Sequence, residues 1–115
     1  MDRETLRSHC LSKSSVVEDF PFGPDVAVMK VLGKMFALLP VGTAARISLK
    51  CDPAWAQILR QTYPAVTPGW HLNKQHWNSV EVDGSISDDE VFEMIDHSYD
   101  LVVKSLPRKD RERLK

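Results

Sequence analysis

Arg46-Ile47-Ser48-Leu49-Lys50-Cys51-Asp52-Pro53 alternates polar and apolar residues along six positions and then turns into a helix start. Side chains on a strand alternate between faces, so Ile47, Leu49 and Cys51 point inward while Arg46, Ser48 and Lys50 point outward. Asp52 supplies an N-cap oxygen, and Pro53 stands at the first helical position, where a missing N–H costs nothing. A strand with one apolar and one polar face, running directly into a helix, predicts an α+β fold. Its sheet is antiparallel, and its helices pack on one face.

The segments on either side fit that plan. Upstream, Val26–Val31 and Lys34–Leu39 read as a hairpin about Leu32-Gly33, and Pro40 and Gly42 end it. Asp2 caps a first helix whose Leu6 and Cys10 lie four apart, and Ser12 to Ser15 ends it. Phe20-Pro21-Phe22-Gly23-Pro24 then punctuates the chain, and its phenylalanines are expected to cover an end of the core. Downstream, Trp55, Ile58, Leu59 and Thr62 follow Pro53 at helical spacing, until Tyr63-Pro64 stops them. A Pro68-Gly69 turn and Trp70 to Gln75 lead to a strand over His76 to Val82. After Asp83-Gly84, Ser87 and Glu90 form a capping box for a last helix with Phe92, Ile95, Tyr99, Val102 and Leu106 on one face.

Length and composition narrow the classes. At 115 residues, with 43% hydrophobic and 27% charged residues, the chain is the size of one ordinary globular domain, 1–115, with 107–115 expected to fray as a basic tail. The longest apolar run falls far below the roughly 20 residues needed to cross a bilayer. No apolar segment follows Met1-Asp2-Arg3-Glu4-Thr5, which predicts a chain without a signal peptide, located in the cytoplasm. Cys10 and Cys51 read as two free buried thiols. No heptad or long exposed apolar helix argues for more than a monomer.

Net charge is −1, which argues against a uniformly cationic nucleic-acid coat. The distribution is uneven, however. Between Val26 and Val80, Lys30, Lys34, Arg46, Lys50, Arg60 and Lys74 face Asp52 alone, so the middle is basic and both ends are acidic. Lys30 and Lys34 are expected to join Arg46, Ser48 and Lys50 on the outer sheet face, and Trp77 and Ser79 share one side of the later strand. Cations neutralise phosphates, Ser and Asn hydrogen-bond to them, and Trp or His stacks on bases. The face therefore reads either as a nucleic-acid platform or as a solvated surface with Trp77 in the core.

Other chemistries are weaker. His71 and His76 are five apart, wider than the usual zinc pairs, and no metal or cofactor is expected. Asp88, Asp89, Glu90 and Glu93 open a helix, where acids complement its dipole. Cys51 with a histidine could be a nucleophile and base, but it sits at an inward position and no catalytic motif surrounds it. No phosphate-binding glycine loop is present, so no enzyme activity is expected.

His71-Leu72-Asn73-Lys74-Gln75-His76-Trp77, preceded by Pro68-Gly69-Trp70, resembles the signature of the YjbR/MmcQ family of small bacterial proteins. Ile47 to Pro53, Ile95-Asp96-His97-Ser98-Tyr99, the Val28–Leu38 hairpin and Phe20 to Gly23 extend the resemblance over nearly the whole chain. It implies a CyaY/frataxin-like fold and a "double wing" DNA-binding role, with Arg46, Ser48, Lys50, His71, Asn73, Lys74, His76 and Trp77 as contacts. Iron binding does not carry over easily, because the acidic residues stand in the last helix rather than the first. The remaining alternatives are a protein-interaction or small-anion-binding module, or an iron or zinc protein.

Overall fold

A computed structural model describes residues 1–42, 44–69 and 71–114. In chain order the elements are α1 (Arg3–Leu11), β1 (Val16–Asp19), β2 (Val26–Val31), β3 (Lys34–Pro40), β4 (Arg46–Lys50), α2 (Pro53–Thr62), β5 (Val66–Pro68), β6 (Trp77–Glu81), α3 (Asp88–Ser105) and α4 (Arg108–Glu112). The strands form one sheet in the order β1-β2-β3-β4-β6-β5, antiparallel throughout. The helices lie on one side, with α3 across β3 and β4 and α1 against β1, β3 and α3. The α+β expectation holds.

The core follows from strand alternation. Ala27, Met29 and Val31 of β2, Leu39 of β3, and Ile47 and Leu49 of β4 turn toward the helices and are buried. They meet Leu6 and Cys10 of α1 and Val91, Met94, Ile95 and Val102 of α3. Each fully buried aliphatic side chain of this kind contributes about 1.5–3 kcal/mol.

β2 and β3 join through Leu32 (φ 46°) and Gly33 (φ 86°), both left-handed, the turn whose twist matches that of the strands. Farther along, Met29 pairs with Ala37 but Lys30 pairs with Met35, so Phe36 is an extra residue in β3. The bulge buries Phe36 beside Ala37 and takes its carbonyl out of the regular ladder. Ser98 of α3, fully buried, meets that need. Its Oγ donates to the Phe36 carbonyl (2.6 Å) and accepts from the Lys50 N–H (2.9 Å).

Several expectations are corrected. Val16–Asp19 and Val66–Pro68 are strands that the sequence reading left unassigned. Each is short and forms a sheet edge, so pairing rather than a hydrophobic pattern defines it. Phe20 and Phe22 do not cover the core but stand 45% and 64% exposed. Ile58 also faces out, while Ala56 and Leu59 carry the buried side of α2. Ser87 caps α3 by accepting from the Glu90 N–H (3.3 Å), but the Glu90 carboxylate accepts from the Tyr63 hydroxyl. The segment expected to fray holds α4, and Leu114 packs against the core with its carbonyl accepting from Ser14 Oγ (3.4 Å). No helix among the described residues is long and apolar enough to cross a membrane.

Candidate binding face

The sheet face away from the helices is built chiefly by β4 and β6. Their register pairs Arg46 with Glu81, Ser48 with Ser79 and Lys50 with Trp77. Three of the anticipated contact residues therefore stand in a row beside three from β6, and the partners change what each can do. The Ser48 and Ser79 hydroxyls lie 2.9 Å apart and hydrogen-bond to each other. Arg46 approaches the Glu81 carboxylate at 3.7 Å, a loose exposed pair of small energetic weight. Lys30 faces the same way and pairs with Asp19 at 2.9 Å. Lys34 does not join this face, since its ammonium donates to the carbonyl and hydroxyl of Ser105 (3.4 Å each) at the C-terminal end of α3. Position explains this. Lys34 opens β3 beside the turn, where its long side chain reaches the negative end of the helix.

Trp77 is the second correction. It shares the outer side with Lys50 but is only 7% exposed, so no ring face is offered to a base. Gly69 stands beside it where the β5–β6 pairing continues, and a Cβ added there would stand 2.6 Å from the Trp77 Cβ. The Gly69 N–H also donates to the Trp77 carbonyl (2.8 Å). The chain just before the signature loop thus runs close beside the tryptophan that ends it. Trp70, the other tryptophan of that segment, lies outside the described residues.

Residues 71–76 form one self-bonded loop. His71 adopts φ 60°, a left-handed conformation that costs a residue with a Cβ about 1–2 kcal/mol. Asn73 Oδ1 accepts from the Gln75 N–H (2.9 Å), and the Asn73 carbonyl accepts from the His76 N–H (3.2 Å). Lys74 Nζ donates to the Gly69 carbonyl (3.4 Å), and the His76 carbonyl accepts from the Cys51 N–H (2.7 Å), tying the loop to the end of β4. His71, Asn73, Lys74 and His76 are all exposed. The bond from Cys51 puts His76 next to the Lys50 end of β4, with Arg46 and Ser48 farther along the strand.

Arg60 and Asn78 hold this loop, although the sequence reading gave neither a role. Asn78 occupies the helix-facing side of β6 at 2% exposure. Its Oδ1 accepts from Arg60 Nε (2.6 Å), and its amide nitrogen donates to the Ala56 carbonyl (3.4 Å). The Arg60 guanidinium continues to the carbonyls of Trp77 (3.2 Å) and Lys74. Two signals were available: Arg60 lies one helical turn beyond buried Ala56, and an inward Asn in a strand requires a partner.

The remaining reactive groups face the helix layer. Burial pushes the Cys10 thiol up to about 12 and, with Asp52 beside it, the Cys51 thiol up to about 11. Burial thus favours the protonated thiol at both positions. His97 Nε2 accepts from the Asp52 N–H (3.1 Å), and the ring stands edge-on to Trp55 with centroids 4.5 Å apart. Among the described residues no group of three or more His, Cys, Asp or Glu is placed to hold a metal ion.

Next to the Ser48–Ser79 pair, the same face is hollowed into a cleft of about 670 Å³. Val26, Leu38, Pro40, Val41 and Leu72 are among its apolar lining, with Phe22 and Asp25 from the loop between β1 and β2. Arg46, His71 and Glu81 also line it.

Comparison with known proteins assigns the family. The uncharacterized protein YbdF of Escherichia coli is 36% identical over 113 residues, covering 97% of this chain and 93% of its own. The uncharacterized protein YjbR of the same species is 34% identical over 110 residues, covering 95% and 93%. A Deinococcus radiodurans protein whose domain is described as DUF419 superimposes with a TM-score of 0.91 at 38% identity, covering 98% of this chain and 87% of that one. A Pseudomonas syringae protein follows with a TM-score of 0.76 at 28% identity, covering 88% and 98%. The family model described as YjbR matches residues 11–101, and with these relatives it shows that the chain belongs to the YjbR family.

Proposed function

We propose that this protein is a non-catalytic module that binds DNA through the Lys50 end of its outer sheet face. Lys50 and Lys74 neutralise phosphates, while His76, His71 and Asn73 add hydrogen bonds. The carrying observation is the difference among the cations of that face. Lys30 is paired with a carboxylate and Arg46 stands loosely by one, whereas among the described residues Lys50 and Lys74 form no ion pair with one. The interface is narrower than composition suggested: Trp77 is buried, and Ser48 is engaged with Ser79. It suits a monomeric cytoplasmic protein.

Two to three phosphate contacts give a weak, salt-sensitive complex, with Kd of about 10⁻⁴–10⁻⁶ M and a loss of about 10- to 40-fold between 50 and 200 mM salt. Fluorescence anisotropy with duplex and single-stranded probes, titrated across that range, measures both quantities. Lys50→Glu combined with Lys74→Glu abolishes binding while circular dichroism stays unchanged. Equal binding by parent and double variant would falsify the proposal. Saturation by inorganic phosphate, with no dependence on probe length, would point to a small-anion site instead.

A further inference from the structure

The cleft beside Ser48 and Ser79 has a different chemistry from the Lys50 end. Its volume of about 670 Å³ falls within the roughly 300–1,000 Å³ of small-molecule sites, which are mostly apolar with a few fixed polar groups. Val26, Leu38, Pro40, Val41 and Leu72 supply the apolar lining, and the paired Ser48 and Ser79 hydroxyls the polar element. Its charges do not suit an anion. Asp25 and Glu81 both line it against one permanent cation, Arg46, which stands 3.7 Å from Glu81 and partly spends itself there. Phe22 is 64% exposed and comes from the same short loop as Asp25, so a ring and a carboxylate flank one space. Aromatic faces and carboxylates together attract organic cations.

We propose that this cleft is a binding site for a small organic cation: a primary ammonium group carried on an apolar body. The apolar body lies against Leu38, Val41 and Leu72, and the ammonium group is held by Asp25 with the Phe22 ring beside it, while Glu81, three strands away beside Arg46, adds to the negative charge at the far side of the cleft. Binding is non-covalent and involves no chemical step. The inference goes beyond the nucleic-acid reading and does not depend on it, because it uses neither Lys50 nor Lys74.

The test uses three probes of one shape: 2-phenylethylammonium, 2-phenylethanol and 3-phenylpropionate. Each is titrated into ¹⁵N-labelled protein at constant ionic strength and followed by amide shifts. The ammonium probe is expected to saturate with Kd on the order of 1 mM, as befits a fragment, shifting the amides of Leu38, Val41, Ser48, Leu72 and Ser79. The alcohol and the carboxylate bind about tenfold more weakly or not at all. Asp25→Asn combined with Glu81→Gln removes the preference for the ammonium probe. Both residues are exposed, so the fold is retained, and DNA binding by this variant is no weaker than the parent's. Ser48→Arg, which fills the cleft and adds a cation, abolishes ammonium binding. The proposal is overturned if the carboxylate binds as tightly as the ammonium, if no probe saturates by about 20 mM, or if the shifts cluster at Lys50, Lys74 and His76.

Discussion

Arg60 of α2 donates from Nε to the Oδ1 of Asn78 in β6 across 2.6 Å, and this bond fastens the family's signature loop to the helix layer. The same guanidinium reaches the carbonyls of Trp77 and Lys74, so one side chain holds the start of β6 and the loop before it. A planar fork of donors suits several acceptors at fixed angles; a lysine offers only one point of charge. Arg60→Ala leaves the Asn78 carbonyl oxygen buried without this donor and lowers stability by about 1–3 kcal/mol in urea denaturation. Arg60→Lys does not rescue it. Hydrogen exchange at residues 71–76 accelerates in both variants, and an unchanged exchange pattern would refute the role given to Arg60.

Ser98 carries the second consequence. Its hydroxyl bridges the bulged carbonyl of Phe36 and the N–H of Lys50, and it is fully buried. Ser98→Ala strands both backbone groups and costs about 1–3 kcal/mol, whereas a serine removed from the surface changes stability by less than about 0.5 kcal/mol. The comparison is a pair of denaturation curves against Ser85→Ala, an exposed position.

Gly69 is required for closeness. A methyl group there would meet Cβ of Trp77 at 2.6 Å and the Trp77 carbonyl oxygen at 3.0 Å, both parts of a rigid strand. Gly69→Ala forces the two backbones apart at Trp77 and costs about 1–3 kcal/mol. A red shift and strengthened quenching of tryptophan fluorescence, seen before global unfolding, is the expected readout.

His97 gives the fold a pH dependence whose sign is fixed. Burial holds its pKa below the ordinary 6.5, against the opposing pull of Asp52 and Asp100, and its Nε2 accepts a hydrogen bond that the protonated ring could not accept. The unfolded chain takes up a proton near 6.5 while the folded one resists. This contribution to stability is therefore complete above that pH and is lost as pH falls toward the lower folded value. Denaturation midpoints of the parent should fall between about pH 7 and 5, and those of His97→Gln, which keeps an acceptor without titrating, should stay flatter in that window. Parallel curves would exclude His97 as the source.

The buried thiols make a simpler prediction. With pKa values near 12 and 11, Cys10 and Cys51 should resist Ellman's reagent in the native protein and react together on unfolding. Rapid reaction of one thiol in native buffer would contradict the packing described for it.

What the sequence determined by itself is the layered plan. Period-two alternation over Arg46–Cys51, the Asp52-Pro53 start and the spacing of Ile95, Tyr99 and Val102 are local signals. A strand that buries one face and a helix that buries one stripe leave little choice of architecture. The string from His71 to Trp77 likewise carried the family without any coordinates. Only the tertiary structure decided what those residues do. The edge strands Val16–Asp19 and Val66–Pro68 exist because neighbours pair with them. Whether a cation is available depends on what stands across the register: Glu81 opposite Arg46, Asp19 near Lys30, Ser105 at the tip of Lys34. Trp77 lies on the polar side by alternation yet is only 7% exposed, with the Gly69 backbone packed beside its Cβ. Charge and exposure are properties of what packs against a residue, and that partner is set by contacts far apart in the chain.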